Sequence, residues 1–164
     1  MQTIYLAGPD VFFSDSIKRR DKLLKLCKDN GFIGVYPGDN NIYPPMANSI
    51  REANMKMIKD ADYVLANLNP FRGFEPDSGT VFEVGYATAL GKTVVGYCSD
   101  IRPMIERLRD YQSLPDKQKI DRDGLKIEDF GLSNNLMFGH IVLASSPEEA
   151  IYRLKTNRPG KSQI

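Results

Sequence analysis

Histidine is almost missing from this chain: His140 is the single one in 164 residues. With one imidazole, neither a histidine-rich metal centre nor a Ser-His-Asp triad is easy to assemble, and no Cys/His/Asp cluster has metal-ligand spacing. Cysteine is scarce as well. Cys27 and Cys98 fall in a predicted helix and a predicted strand, without C-x-x-C spacing. They read as reduced, buried packing residues of a cytosolic protein. Charge of one sign is also lacking: 22 Lys+Arg against 21 Asp+Glu leave a net +1. That balance excludes an electrostatic case for binding nucleic acid or a membrane surface. No apolar run is long enough to span a bilayer. The start, MQTIYLAGP, enters a strand pattern directly and lacks the regions of a signal peptide. G-x-G-x-x-G and G-x-x-x-x-G-K-[ST] are both absent, which disfavours a dinucleotide enzyme and a P-loop ATPase. Internal repeats and low-complexity segments are absent too.

What is present is an alternation of apolar runs and helical patterns. Strands are expected at Thr3–Ala7, Ile33–Tyr36, Tyr63–Leu68, Thr93–Tyr97 and His140–Ala144. Helices are expected at Asp15–Asn30, from Ser49 through an S-x-x-E capping box with Glu52, at Thr80–Leu90, around Met104–Arg109, and after Ser146 with Pro147 at its first position. In the first helix Ile17, Leu23, Leu24 and Cys27 are expected to face the core. The order implies a parallel sheet covered on both faces, a flavodoxin-like doubly wound α/β fold with strand order 2-1-3-4-5. Residues 1–155 are expected to form one domain, and 156–164 a flexible tail. Residues 110–139 form one long irregular region, charged and then apolar, of a kind that is usually functional or disordered.

Such sheets bind ligands beyond the carboxyl ends of their strands. Gly8 and Phe12 after strand one, and Asp39 after strand two, are candidate substrate contacts there. The segment DSGTVFEVG, residues 77–85, follows strand three. Its Glu83 shares a helix face with Tyr86, Ala87 and Leu90, an apolar stripe where an unpaired carboxylate is costly. Thr80 and Glu83 also have the spacing of a capping box, and Asp77 suits a turn. Asn54 falls on the apolar face of its helix and must find partners, structural or ligand. Tyr5 lies mid-strand, and its hydroxyl needs a partner, which near Glu83 would tune a nucleophile. Phe12 and Phe13 read as core or staple residues, with one of them able to stack on a base. His140 reads as a strand-edge histidine. Two acids without a metal suit glycosidic bond exchange.

The segments IYLAGPDVF, NMKMIKDADYVLANLNPFRGFEPDSGTVFEVGYATALGK and FGLSNNLM resemble nucleoside 2-deoxyribosyltransferases, in that family's order and spacing, from about residue 3 to residue 143. The F-R-G-x-x-P-D-x-G-T-x-x-E-x-G stretch is the specific part. The resemblance implies that Glu83 is the nucleophile, Asp77 the acid/base and Tyr5 the nucleophile's neighbour. Asn54 would meet the base, where some members carry aspartate. Asn135, with Met137 beside it, would hold the 5′-hydroxyl of the sugar bound in an adjacent subunit. It further implies a homo-oligomer, dimer or hexamer, with shared sites. The substrates would be 2′-deoxynucleosides and free nucleobases, without a metal or cofactor, in cytoplasmic nucleoside salvage. The alternatives are a 2′-deoxynucleoside 5′-monophosphate N-glycosidase, with Ser14, Ser16 or Ser133 near the phosphate, and a non-enzymatic nucleotide-binding module.

Overall fold

The computed structural model describes residues 1–40 and 42–156. Five parallel strands form one sheet: β1 Gln2–Ala7, β2 Phe32–Val35, β3 Tyr63–Asn67, β4 Thr93–Tyr97 and β5 Val142–Ala144, in the order β2-β1-β3-β4-β5. Tyr5 on β1 stands between Val35 on β2 and Val64 on β3. The doubly wound α/β architecture expected from the alternating pattern is the one observed.

Period-two alternation splits the core between the two faces. Ile4, Leu6, Leu65 and Val95 pack with the helices Ser16–Asp29 (α1) and Pro147–Thr156 (α5). Tyr5, Ala7, Val64 and Ala66 pack with the helices Ala47–Asp60 (α2) and Ser78–Ala89 (α3). Central strands buried on both faces read as continuous apolar runs, as β3 does with YVLAN wholly buried. Gly31 and Gly91, at φ +79° and +70°, end α1 and α3 in the left-handed conformation that glycine adopts without a Cβ clash. Lys92, just beyond, donates to the Lys59 and Ala61 carbonyls at 2.7 Å each. The ammonium thereby satisfies the otherwise open end of α2.

Several local expectations are corrected. α2 begins at Ala47, with Met46 in the cap position and no side-chain cap, so Ser49 lies inside the helix and makes no capping box. Ile17 sits in the first turn of α1 and is 72% exposed, whereas Leu23 and Cys27 are buried. The fifth strand begins at Val142, so His140 precedes it and bonds Thr88 Oγ1 through Nε2 at 3.1 Å. Phe12 is 59% exposed and is no core residue.

The long 110–139 region is partly built. The helix Met104–Gln112 (α4) carries Ile105 and Leu108, which bury Ile127 against Phe74 and Leu114 as a separate small core. An isolated antiparallel bridge joins Ile120 to Lys126, and Leu136–Phe138 form a single 3-10 turn. Thr156 closes α5, and the remainder of the expected tail, 157–164, lies outside the described residues. Among the described residues no helix is long and apolar enough to cross a membrane.

Candidate active site

Parallel strands place α2 and α3 antiparallel to the sheet, so the N-termini of both helices stand at its carboxyl rim. α3 starts there because Asp77 caps it. The Asp77 Oδ2 accepts from Thr80 N at 2.9 Å and from Thr80 Oγ1 at 3.0 Å. Thr80 is therefore capped rather than capping, and Glu83 makes no capping box. Both bonds use Oδ2, so Oδ1 takes no part in the cap.

Glu83 has a different partner. The Tyr5 hydroxyl donates to its Oε1 at 2.6 Å across 78 residues of sequence. Tyr5 is wholly buried in mid-sheet, and Glu83 is partly buried. Burial pushes the Glu83 carboxyl from 4.5 up to about 7. The Tyr5 bond opposes that rise and the Asp77 charge adds to it. Burial and the Glu83 charge push the Tyr5 phenol far up, so it stays a proton donor. A carboxylate poised near neutrality, short of solvent and held by one strong donor, is suited to attack an electrophilic carbon.

The other candidate residues fall into three groups. Asn54 lies on α2 one turn nearer the rim than the buried Ile58, and α2 packs on α3. Its Oδ1 is enclosed, and no donor among the described residues reaches it. Gly8 and Phe12 lie on the β1 loop. A Cβ on Gly8 would come within 2.8 Å of both Asn67 Cβ and Asp10 Oδ2. Close approach, not backbone strain, therefore requires glycine there. Phe12 stacks on Phe71 of the β3 loop, with centroids 5.6 Å apart at 25°, and the Arg72 guanidinium lies 5.4 Å from the Phe12 centroid. This aromatic wall joins the first loop to the one that leads to Asp77. Asp39 lies in the turn after β2, where its carboxylate pairs with Arg20 Nε of α1 at 2.7 Å.

Asn135 and Met137 form the third group. They line a cleft of about 780 Å³ with Val81, Gly85 and Thr88 of α3. At about 100° per residue, those positions point roughly 140–160° away from Glu83. Within one chain, Asn135 and Glu83 therefore stand on opposite sides of α3. Met137 is 73% exposed, and Val81 and Phe82 are also exposed.

Sequence reasoning gave no role to Asp10, within IYLAGPDVF, and missed Asn67; the two are buried polar residues joined by an Asn67 Nδ2 to Asp10 Oδ2 bond of 3.0 Å. An asparagine closing the run YVLAN was the available signal. Phe71 and Arg72 lie in the stretch F-R-G-x-x-P-D but were given no role, since their partner Phe12 is distant in sequence, and Glu128 was missed. Among the described residues no three His, Cys, Asp or Glu side chains are grouped to hold a metal ion.

The fold and the Tyr5–Glu83 pair define an α/β protein with a carboxylate site at the sheet's carboxyl rim. A model of the family described as nucleoside 2-deoxyribosyltransferase matches residues 4–137. The 2-desoxiribosyltransferase from Leishmania mexicana superposes with a TM-score of 0.83 at 37% identity, over 97% of this chain and 100% of that one. The uncharacterized protein C191.05c of Schizosaccharomyces pombe is 33% identical over 155 residues, 82% of this chain and 74% of that protein. A CMP N-glycosidase of Clostridium botulinum shares the fold at 16% identity, with a TM-score of 0.51 over 94% of this chain and 99% of that one. The chain belongs to the nucleoside 2-deoxyribosyltransferase family.

Proposed function

We propose that this chain transfers 2-deoxyribose between purine or pyrimidine bases by a retaining double displacement. The observation that carries the reading is the 2.6 Å bond from Tyr5 to Glu83, with Asp77 at the head of the same helix. In the first step a Glu83 carboxylate oxygen forms a bond to C1′ as the glycosidic C–N bond breaks. Asp77 delivers its proton to the departing base, so the base leaves neutral. The product is a deoxyribosyl ester on Glu83. A second base then attacks C1′, its N–H proton passes to Asp77, and Glu83 leaves as carboxylate. Two inversions retain the β configuration.

Tyr5 serves both steps. Its bond favours the ionised form of Glu83 and aims one oxygen, leaving the other for C1′. Asn54 of α2 meets the base, and the Phe12–Phe71 wall covers the rim. Each pocket is shared between two chains of a homo-oligomer, dimer or hexamer. Asn135 and Met137 line the side of α3 turned away from the Glu83 of their own chain, and the apolar surface around them suits a partner. The activity resides in one domain, residues 1–155, and its role is nucleoside salvage in the cytoplasm. Incubation with a 2′-fluoro deoxynucleoside tests the chemistry. The sugar label should be found on Glu83 by peptide mass spectrometry, and Glu83→Ala should take up none. Label on another residue, or more than a few per cent of wild-type turnover in Glu83→Ala, would refute the assignment.

A further inference from the structure

The Asn135 amide does not choose its own orientation. Its Nδ2 donates to Glu128 Oε1 at 2.5 Å, and the next backbone N–H, of Leu136, donates to Glu128 Oε2 at 2.9 Å. Its Oδ1 accepts from the Met137 N–H at 3.0 Å. Both backbone groups are donors only, so the assignment is forced: two carboxylate oxygens face two donors, and the amide oxygen faces Met137. One Oδ1 lone pair remains for a ligand. The remaining Nδ2 hydrogen sits beside a carboxylate.

The surroundings add a second carboxylate. Glu75 lines the same cleft as Asn135. Burial lifts the Glu75 carboxyl, Arg107 draws it down and Glu128 lifts it further, so both charges act on Glu75. Arg107 is buried on α4, its guanidinium bonded to the Ser133 carbonyl and 5.2 Å from the Phe74 ring centroid.

We infer that Glu128 is a positioning residue that sets specificity at the sugar's 5′ end. It holds the Asn135 oxygen ready for a hydroxyl donor and sets negative charge against a 5′-phosphate. The inference rests on the reading that Asn135 meets the 5′-hydroxyl of a neighbouring chain's substrate. A neutral amide at position 128 would satisfy the Leu136 N–H with its one oxygen and turn its NH2 toward Asn135. The Asn135 amide must then rotate, its own NH2 meeting the Met137 N–H. Orientation and charge are lost while size is kept.

The test measures kcat and KM for wild type, Glu128→Gln, Glu128→Asp and Asn135→Ala. Three donors are used: a 2′-deoxynucleoside, its 2′,5′-dideoxy analogue and its 5′-monophosphate. Glu128→Gln should raise KM for the deoxynucleoside about tenfold, the worth of one hydrogen bond of about 1.4 kcal/mol. Its kcat should stay within about twofold, as should KM for the 5′-deoxy analogue. The kcat/KM ratio of monophosphate to nucleoside should rise about tenfold or more. If Glu128→Gln fails to fold, Glu128→Asp carries the test: the charge stays, so phosphate remains excluded, but the shorter reach raises KM for the 5′-hydroxyl donor alone. Equal losses with and without the 5′-hydroxyl, or an unchanged monophosphate ratio, would overturn the inference. Asn135→Ala separates the two claims. If it shows no 5′-hydroxyl-dependent loss, the reading of Asn135 falls and the inference with it. If it does and the Glu128 variants do not, only the role of Glu128 falls.

Discussion

Replacing Glu83 by glutamine should stabilise the protein by an amount that grows as pH rises from 4.5 to about 7 and is complete above neutrality. The folded carboxyl titrates near 7 against 4.5 unperturbed. A raised folded value means that the folded state holds its proton longer than the unfolded chain does. The resulting stability is fully present below pH 4.5 and is lost as pH rises through 7. At about 1.36 kcal/mol per pH unit the loss is about 3 kcal/mol, and about 2 kcal/mol once solvent at the partly open carboxylate is allowed for. Glutamine does not titrate, and its oxygen can still accept from Tyr5. Urea unfolding of both proteins at one concentration should therefore give equal stabilities at pH 4.5. At pH 8 the variant should lead by about 2 kcal/mol, or roughly 4–8 °C in Tm for a domain of this size. Fixed concentration matters because subunit association would also shift the midpoint. A gain that is the same at both pH values, or a loss at pH 8, would refute the view that burial dominates at Glu83. Stabilisation accompanied by loss of transfer would be the expected signature of a residue kept for chemistry rather than for folding.

The rising limb of kcat/KM against pH should lie near 7, because attack needs ionised Glu83; Tyr5→Phe removes a bond to the charged form and should move that limb up by about 1–2 pH units. An unmoved limb would deny Tyr5 its role in tuning Glu83. Asp77→Asn keeps a good helix cap, so stability should hold within about 0.5 kcal/mol. Transfer from natural bases should fall far more than transfer from substrates with good leaving groups, and a uniform fall would make Asp77 a positioning group. Mixing inactive Glu83→Ala chains with impaired Asn135→Ala chains, at a deoxynucleoside concentration well below the KM of Asn135→Ala, should restore full function to up to roughly a quarter of the wild-type sites, through hybrid dimers with one complete pocket. Verified subunit exchange without recovery would end the shared-site model.

Much of this molecule is written locally. The period-two and helical patterns, the stop at Gly31 and the length of each run are properties of neighbouring residues, and they place five strands and five helices nearly where they stand. Handedness and the burial of both sheet faces then leave few topologies, so the order 2-1-3-4-5 was legible as well. Asp77 and Glu83 drew attention because both carboxylates occur within seven residues. The capping box expected at Ser49, and the alternative one at Thr80, both fail because such motifs hold only when the backbone enters the helix at that residue. The entry point was set instead by the extended Met46 before Ala47 and by the Asp77 carboxylate. Long-range pairing decided the rest. Tyr5 reaches Glu83 only because β1 lies beneath α3, and that bond together with burial sets the carboxyl near 7. Asp39 reads as a rim residue, yet Arg20 of α1 takes its carboxylate. Asn135 comes after Glu83 in the chain but stands across α3 from it, since side chains half a helical turn apart face opposite ways. Sequence supplies the groups and their local frame. Which group faces which, and how much water each keeps, is settled only when distant segments close on one another.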